Sequence, residues 1–273
     1  MIAARTSCDW FLPLPPSHHA FSCPNNAWES WGFVNYLKQR RSQLILACLL
    51  LAAVLFSKFP GVDIQISRLF FDKGFPLRDQ WWQAWLREGM SYFLWLSMAS
   101  FVAVYLLNRL SKRRLGGVDG KKVCYLFLVL ILGAGLIVNV ILKDNFGRAR
   151  PRDIEEFGGS RHFTPAFVVS RECDANCSFS SGEAAGAFFS LALAMALGRR
   201  RAMFAAGAAF GIVVSLSRVA SGAHFFSDTV VSFFVMLLVA DVLYFYMFLP
   251  KLEEAESAVP ANLRGNAVWV EPD

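Results

Sequence analysis

Three separated clusters of polar residues contain the side chains of this 273-residue chain that could perform chemistry. They are, in chain order, Lys143 to Pro151, Ser180 to Glu183, and Ser217 to Asp228. Each cluster adjoins an apolar run, and ionisable groups at a membrane boundary are costly enough to be candidates for function.

The cationic and small residues of these clusters have the chemistry of a phosphate site. Arg150 and Arg218 present planar guanidinium groups that match pairs of phosphate oxygens, and Lys143 adds a point charge. Ser181 and Gly182 stand where an apolar run begins, and free backbone N–H groups at a helix start can bind an anion. Gly182 also permits a close approach because it lacks a side chain. We therefore expect these five residues to bind phosphate.

His224 and Asp228 have the spacing of a nucleophile and the carboxylate that orients it. Four residues make about one helical turn, so both side chains share a face. A carboxylate bonded to one ring nitrogen would fix the tautomer and leave the other nitrogen free to attack.

The elements that must position these clusters are membrane helices. Hydrophobic residues make up 55% of the chain and charged residues only 18%, whereas soluble domains usually have about 25% charged residues. Six apolar segments can each cross about 30 Å of hydrocarbon, which predicts an all-α, six-helix membrane bundle. They are 42–59, 91–108, 123–142, 182–198, 202–217 and 225–249. The membrane domain then covers 42–249, with tails at 1–41 and 250–273.

Basic residues predict the orientation of the bundle. They concentrate in the first tail, the 109–122 loop, the turn at Arg199–Arg201 and Lys251, which a six-helix count places on one side. The positive-inside rule makes this side cytoplasmic, with both termini inside. Segments three to six then exit and enter through the outer face, so the clusters should meet there. The net charge of +6 fits topology signals, and we expect no nucleic-acid partner because no recognition module accompanies it.

Two outer-side features carry further expectations. Trp81, Trp82 and Trp85 share one side of a helix over 78–89, and indole rings favour the headgroup region, so we expect an in-plane surface helix there. Cys173 and Cys177 precede the second cluster, and an oxidising periplasm would permit a disulfide between them. A metal site is the weaker interpretation, because no second pair of ligands is nearby.

The clusters together resemble the signature of the type 2 phosphatidic acid phosphatase superfamily. That signature reads Lys-x6-Arg-Pro, Pro-Ser-Gly-His and Ser-Arg-x5-His-x3-Asp. Lys143 through Pro151 fits the first part, and Ser217 through Asp228 fits the third without a gap. The second part departs from the pattern, because Ser180 replaces Pro and Glu183 replaces His.

The resemblance implies a mechanism without a metal or other cofactor. His224 would attack phosphorus and form a phosphohistidine, with Asp228 orienting it, while the cations and the start of segment four stabilise the developing charge. The family His protonates the leaving group. We expect Glu183 to serve instead, provided that it is protonated when the alkoxide departs; capping of the helix start is its structural alternative.

We therefore expect a lipid phosphatase of the bacterial inner membrane whose catalytic face is periplasmic. Its partners are a phosphorylated lipid and the bilayer. Within the family, lipid A phosphatases are similar around Cys177-Ser178-Phe179 and Ser181-Gly182-Glu183, so lipid A is the favoured substrate. Undecaprenyl pyrophosphate, phosphatidylglycerol phosphate and phosphatidic acid remain alternatives, as do a lipid phosphotransferase and an inactive transporter or scaffold.

Overall fold

The structure is a computed structural model that describes residues 27–112, 114–198 and 201–248. Helices and connecting loops form this part of the chain, which confirms the all-α prediction. The helices are α1 (Ala27–Lys58), α2 (Gly61–Arg68), α3 (Trp81–Ser111), α4 (Gly120–Leu128, continuing as a π-helix over Val129–Lys143), α5 (Gly182–Ala196), α6 (Arg201–Ala220) and α7 (Phe226–Phe248).

Five stretches in the described residues are long and apolar enough to cross a membrane, judged by length and composition. They are Arg40–Lys58, Trp81–Ser111, Gly120–Lys143, Arg201–Ala220 and Phe226–Phe248. The remaining predicted segment corresponds to α5, which is apolar but only 15 residues long. A perpendicular span needs about 20 residues, so α5 alone does not meet that length.

The prediction of a separate in-plane helix over 78–89 is wrong. Most of this stretch forms the first turns of α3, which begins at Trp81 and runs without a break to Ser111. Gln83 and Met90 are buried on the side that faces the bundle, while Trp81 and Trp85 are exposed. Helical periodicity predicted that this stretch has an exposed and a buried face. It could not predict that the stretch continues directly into the long helix α3.

The first helix also begins earlier than its apolar segment. α1 starts at Ala27 rather than at residue 42, so part of the predicted tail at 1–41 is helical. Residues 1–26 and 249–273, which include the rest of the first tail and all of the second, lie outside the described residues.

α5 lies at the centre of the bundle, and most of its residues are buried against α6, α7 and the π-helical turns. Its contact with α6 depends on glycine. A Cβ atom at Gly207 would lie 2.9 Å from Ser190 Oγ, and one at Gly211 would lie 2.2 Å from the Phe188 ring. Small residues permit helices to approach closely in membranes, and here they let α5 and α6 lie close together.

Polar contacts in the C-terminal half of α7 connect this helix to its neighbours. Arg41 Nε lies 3.0 Å from Asp241 Oδ1, and the Ser42 hydroxyl donates to Asp241 Oδ2 at 2.7 Å. The Tyr125 hydroxyl donates to the Ala240 carbonyl at 3.1 Å. These bonds hold α1 and α4 against α7.

We predict that Gly211→Ala destabilises the protein. The added methyl group would overlap the Phe188 ring, which is buried and packed against Phe233. Overpacking of this kind costs about 1–3 kcal/mol, so the variant should unfold at a lower temperature than the wild type in the same detergent.

Gly89→Ala is the matched control, because a Cβ atom at Gly89 in α3 meets nothing within 4 Å. Alanine is favoured over glycine inside helices by about 0.5–1 kcal/mol, so this variant should unfold at the same or a higher temperature. Equal unfolding temperatures for the two variants would contradict the packing argument.

Candidate active site

The three polar clusters meet at one end of the bundle. Glu183, in the first turn of α5, has its carboxylate 3.8 Å from Arg218 Nη2 near the end of α6. The same carboxylate lies 3.3 Å from Nε2 of His224, just before α7. Lys143, at the end of the π-helical turns, is within electrostatic reach of Glu183 and Arg218. Side chains from four chain segments therefore surround one position.

The first turn of α5 leaves space for neighbouring side chains to approach its backbone. Ser181 is its N-cap residue, and the Ser181 hydroxyl accepts a hydrogen bond from the Ala184 N–H at 3.3 Å. A Cβ atom on Gly182 would lie 2.9 Å from Asn139 Oδ1 and 3.7 Å from Lys143 Nζ. Because Gly182 lacks that atom, the Asn139 side chain can pack against the start of α5, and the Lys143 ammonium lies nearby. The first N–H groups of a helix have no partner within the helix. Both kinds of donor favour an anion.

His224 is fully buried and held by its Nδ1 atom. This nitrogen lies 2.8 Å from the Ser178 carbonyl oxygen. A carbonyl oxygen only accepts hydrogen bonds, so Nδ1 carries the hydrogen and Nε2 is the nitrogen available for chemistry. Nε2 points towards Glu183, at 3.3 Å from Oε2.

Asp228 acts on the histidine less directly than the sequence analysis expects. Its Oδ2 atom lies 3.7 Å from His224 Nδ1, beyond hydrogen-bond distance. The carboxylate instead accepts hydrogen bonds from the Ser178 hydroxyl at 2.5 Å and the Phe225 N–H at 2.8 Å. Asp228 thus holds the residue whose carbonyl fixes the ring, and its charge remains close to the imidazole.

A buried arginine connects Asp228 to a second carboxylate. Arg148 donates to Asp228 Oδ1 at 2.5 Å and to Asp63 Oδ2 at 2.8 Å, and all three side chains are 1% exposed or less. The guanidinium lies over the Phe225 ring, 4.1 Å from its centroid. Burial raises the pKa of the Asp63 carboxyl, while Arg148 acts in the opposite direction. Arg148 is therefore engaged by two carboxylates inside the protein.

Sequence reasoning missed Asp63 and gave Arg148 no role. Asp63 is an ionisable residue beside the first apolar segment, which is the signal that identified the other clusters. It lies in α2, far from the motifs in sequence, and the Ser227 N–H donates to Asp63 Oδ1 at 2.9 Å. The spacing of residues within a motif cannot reveal a contact between residues so far apart in the sequence.

A second missed residue, Gln83, orients Arg218. The Gln83 carbonyl oxygen accepts hydrogen bonds from Arg218 Nη1 at 3.3 Å and from the Ser217 hydroxyl at 2.9 Å. The Nε atom of Arg218 is buried without a hydrogen-bond partner in the described part of the chain. Buried donors of this kind are rare, and this one is suited to a phosphate oxygen.

The disulfide region positions Arg150. Nε and Nη2 of Arg150 both donate to the Asn176 carbonyl oxygen, at 3.2 and 2.7 Å. Asn176 lies inside the small loop that the Cys173–Cys177 disulfide closes, with Cα atoms 5.6 Å apart. The loop therefore holds the arginine at the edge of the cluster, where it is also within electrostatic reach of Lys143.

Apart from the Glu183 carboxylate, the charged side chains around the candidate phosphate position are cationic. Within residues 27–112, 114–198 and 201–248, no group of three or more His, Cys, Asp and Glu side chains could hold a metal ion. Asp228 is already engaged by Arg148 and Ser178, so it is not open to a further ligand. Lys143, Arg150 and Arg218 can neutralise the oxygens of a phosphate directly.

Comparison with known proteins places these residues in a family. A model described as the PAP2 superfamily matches residues 122–251. A lipid A 4'-phosphatase of Francisella tularensis subsp. novicida (strain U112) is 31% identical over 205 residues, covering 73% of this chain and 92% of the relative. One of Rhizobium leguminosarum is 34% identical over 203 residues, covering 67% and 86%.

Among solved structures, similarity is found to a transmembrane PAP2-type phosphatidylglycerolphosphate phosphatase from Bacillus subtilis. The TM-score is 0.49 at 17% sequence identity, and the match covers 80% of this chain and 98% of the other.

We predict that Arg148→Met destabilises the protein strongly and lowers its activity. The substitution leaves Asp63 and Asp228 buried without their shared cation, and breaking a buried pair in this way costs about 3–5 kcal/mol. Thermal unfolding in detergent measures the loss.

Arg161→Met is the control, because Arg161 is an exposed arginine in the same loop, between α4 and α5. It should unfold like the wild type. If the two variants unfolded at the same temperature, the pairing of Arg148 would contribute nothing to stability.

Proposed function

The chain belongs to the PAP2 superfamily and is a phosphatase, and we propose that it removes a phosphate monoester from lipid A at the outer leaflet. The observation that carries this proposal is the position of His224 Nε2, which lies 3.3 Å from the Glu183 carboxylate among three cations. Lipid A is favoured because relatives at 31–34% identity are named lipid A 4'-phosphatases.

The substrate phosphate is bound between the cations and the start of α5. Lys143 and Arg218 contact its non-bridging oxygens, and the unpartnered Nε of Arg218 gains an acceptor. Arg150 stands at the edge of the site. The Ser181 hydroxyl and the N–H groups at Gly182 supply further donors. These groups favour the transition state because the charge on the phosphoryl oxygens is stabilised by fixed dipoles and cations.

The first chemical step transfers the phosphoryl group to His224. In the proposed mechanism Nδ1 keeps its hydrogen, and one further proton is held between Nε2 and Glu183, whose atoms lie 3.3 Å apart. When the phosphate binds, this proton resides on Glu183, and the lone pair of Nε2 attacks phosphorus. The bond from phosphorus to the lipid oxygen breaks, and Glu183 donates its proton to that oxygen. The products are the lipid alcohol and a phosphohistidine.

The second step returns the enzyme to its starting state. Glu183, now a carboxylate, accepts a proton from water as the water oxygen attacks phosphorus and the P–N bond breaks. Inorganic phosphate leaves, and His224 recovers the Nε2 lone pair. Ser178 keeps the ring in one orientation throughout, because its carbonyl accepts from Nδ1–H and its hydroxyl is bonded to Asp228.

The proposed setting is the bacterial inner membrane with the site on the periplasmic side. α5 counts as the sixth span in this proposal. It is buried inside the bundle, so neighbouring helices rather than lipid surround it and its length need not match the bilayer. With six spans, the basic loops and both tails, 1–41 and 250–273, lie in the cytoplasm.

We predict that Glu183→Gln lowers kcat on lipid A by about 10²-fold or more, because the alkoxide then departs without a proton. Its loss on an activated aryl phosphate should be much smaller, since that leaving group needs little protonation. His224→Ala should abolish both reactions. The measurement is release of inorganic phosphate by purified protein in detergent.

Equal losses of Glu183→Gln on both substrates would make Glu183 a positioning residue. Phosphate release by His224→Ala at the wild-type rate would overturn the phosphohistidine. Recovery of the phosphoryl group on a second lipid, with no inorganic phosphate, would identify a phosphotransferase instead.

Topology gives a test that needs no substrate. A reporter active only in the periplasm should be active when fused near Gly158 and silent when fused near Gly116, because the basic loop around Gly116 is retained inside. The reverse pattern would place the site in the cytoplasm and exclude outer-leaflet substrates.

A further inference from the structure

A cationic cavity of about 440 Å³ adjoins the candidate active site. Its walls come from the start of α3, the turn after the first motif and the end of α6. Four guanidinium groups line it, those of Arg78, Arg87, Arg152 and Arg218, together with one carboxylate, that of Asp79. The cavity has the size of a small-ligand pocket.

The positive charge of the four guanidinium groups exceeds the negative charge of the carboxylates in and beside the cavity. Arg78 Nε lies 3.9 Å from Asp79, and Arg152 Nε lies 3.8 Å from Asp153, and both pairs are loose and partly exposed. Burial, reinforced by Arg150, lowers the pKa of the Arg152 guanidinium, and Arg78 also contributes. Like charges that converge at a concave surface repel one another unless an anion occupies it.

The cavity and the catalytic cluster share Arg218. Nη1 and Nη2 of Arg218 face Gln83 and Glu183, at 3.3 and 3.8 Å, while the same side chain lines the cavity. His224 and Glu183 are not among the residues that line it. A group bound in the cavity would thus lie beside the reacting phosphate without contacting the nucleophile.

We propose that this cavity is a second anion subsite, which binds another phosphate or carboxylate carried by the headgroup of the same lipid. Guanidinium groups bind such oxygens in pairs, and the cavity volume leaves room for the sugar that carries the anion. This inference rests on the proposed function and narrows it, because the preferred substrate then has at least two anionic groups. Free phosphate has the same chemistry and is the rival occupant.

The test uses two acylated disaccharides that share the phosphate to be removed and differ only in a second phosphate. Wild-type protein should hydrolyse the doubly phosphorylated lipid with a kcat/KM about tenfold or more above that of the singly phosphorylated one, chiefly through KM, as for loss of one charge-assisted bond. In the Arg78→Gln/Arg87→Gln variant this ratio should fall towards one.

Arg68→Gln is the matched control, since Arg68 is an exposed arginine of α2 that does not line the cavity; it should keep the wild-type ratio. An unchanged ratio in the double variant, or no preference in the wild type, overturns the subsite. A third outcome also overturns the headgroup subsite: the wild type shows no preference between the lipids and is inhibited by inorganic phosphate, and the double variant is no longer inhibited. That outcome would assign the cavity to free phosphate.

Two readouts keep this inference separate from the proposed function. Hydrolysis of both lipids at equal rates leaves the lipid phosphatase intact and removes only the subsite. Hydrolysis of an aryl phosphate with neither lipid consumed overturns the lipid substrate, and the subsite with it. If the double variant does not fold, Arg87→Gln alone is compared, and it should lower the ratio several-fold.

Discussion

The buried pairing of Arg148 with Asp63 and Asp228 is the interaction on which this end of the bundle, where the three polar clusters meet, depends. Each of these charges would be very costly alone in a buried position, so none can keep its place without the others. Asp228 in turn holds Ser178, whose carbonyl fixes the His224 ring. The orientation of His224 is therefore set by a charge cluster that reaches from α2 to α7.

Small residues make the convergence of the clusters possible. Gly211 and Gly207 let α6 lie directly on α5, and Gly182 lets Asn139 pack against the first turn of α5. The same glycines leave little space to absorb a larger side chain, so packing and site geometry are coupled.

The proposed mechanism needs cations that stay in place and one proton that moves. Arg150 and Arg218 are held by the Asn176 carbonyl and by Gln83, so their charges stay in place while a phosphate reacts. In the proposed mechanism the proton between His224 and Glu183 is the one that moves, since Nδ1 is hydrogen-bonded to Ser178. The proposed mechanism gives Glu183 the role of the histidine that the family pattern has at this position.

The sequence alone determined the helical class, the approximate positions of the membrane segments and the residues of the three clusters, because apolar length and motif spacing are local properties. It could not determine that α3 continues through the predicted surface helix, nor that Gln83 and Asp63 join the site. Those results depend on which helix faces lie together, and partners far apart in the chain leave no spacing to recognise. Only the packed structure could show that Asp228 reaches His224 through Ser178, since direct and indirect contact both fit one helical turn.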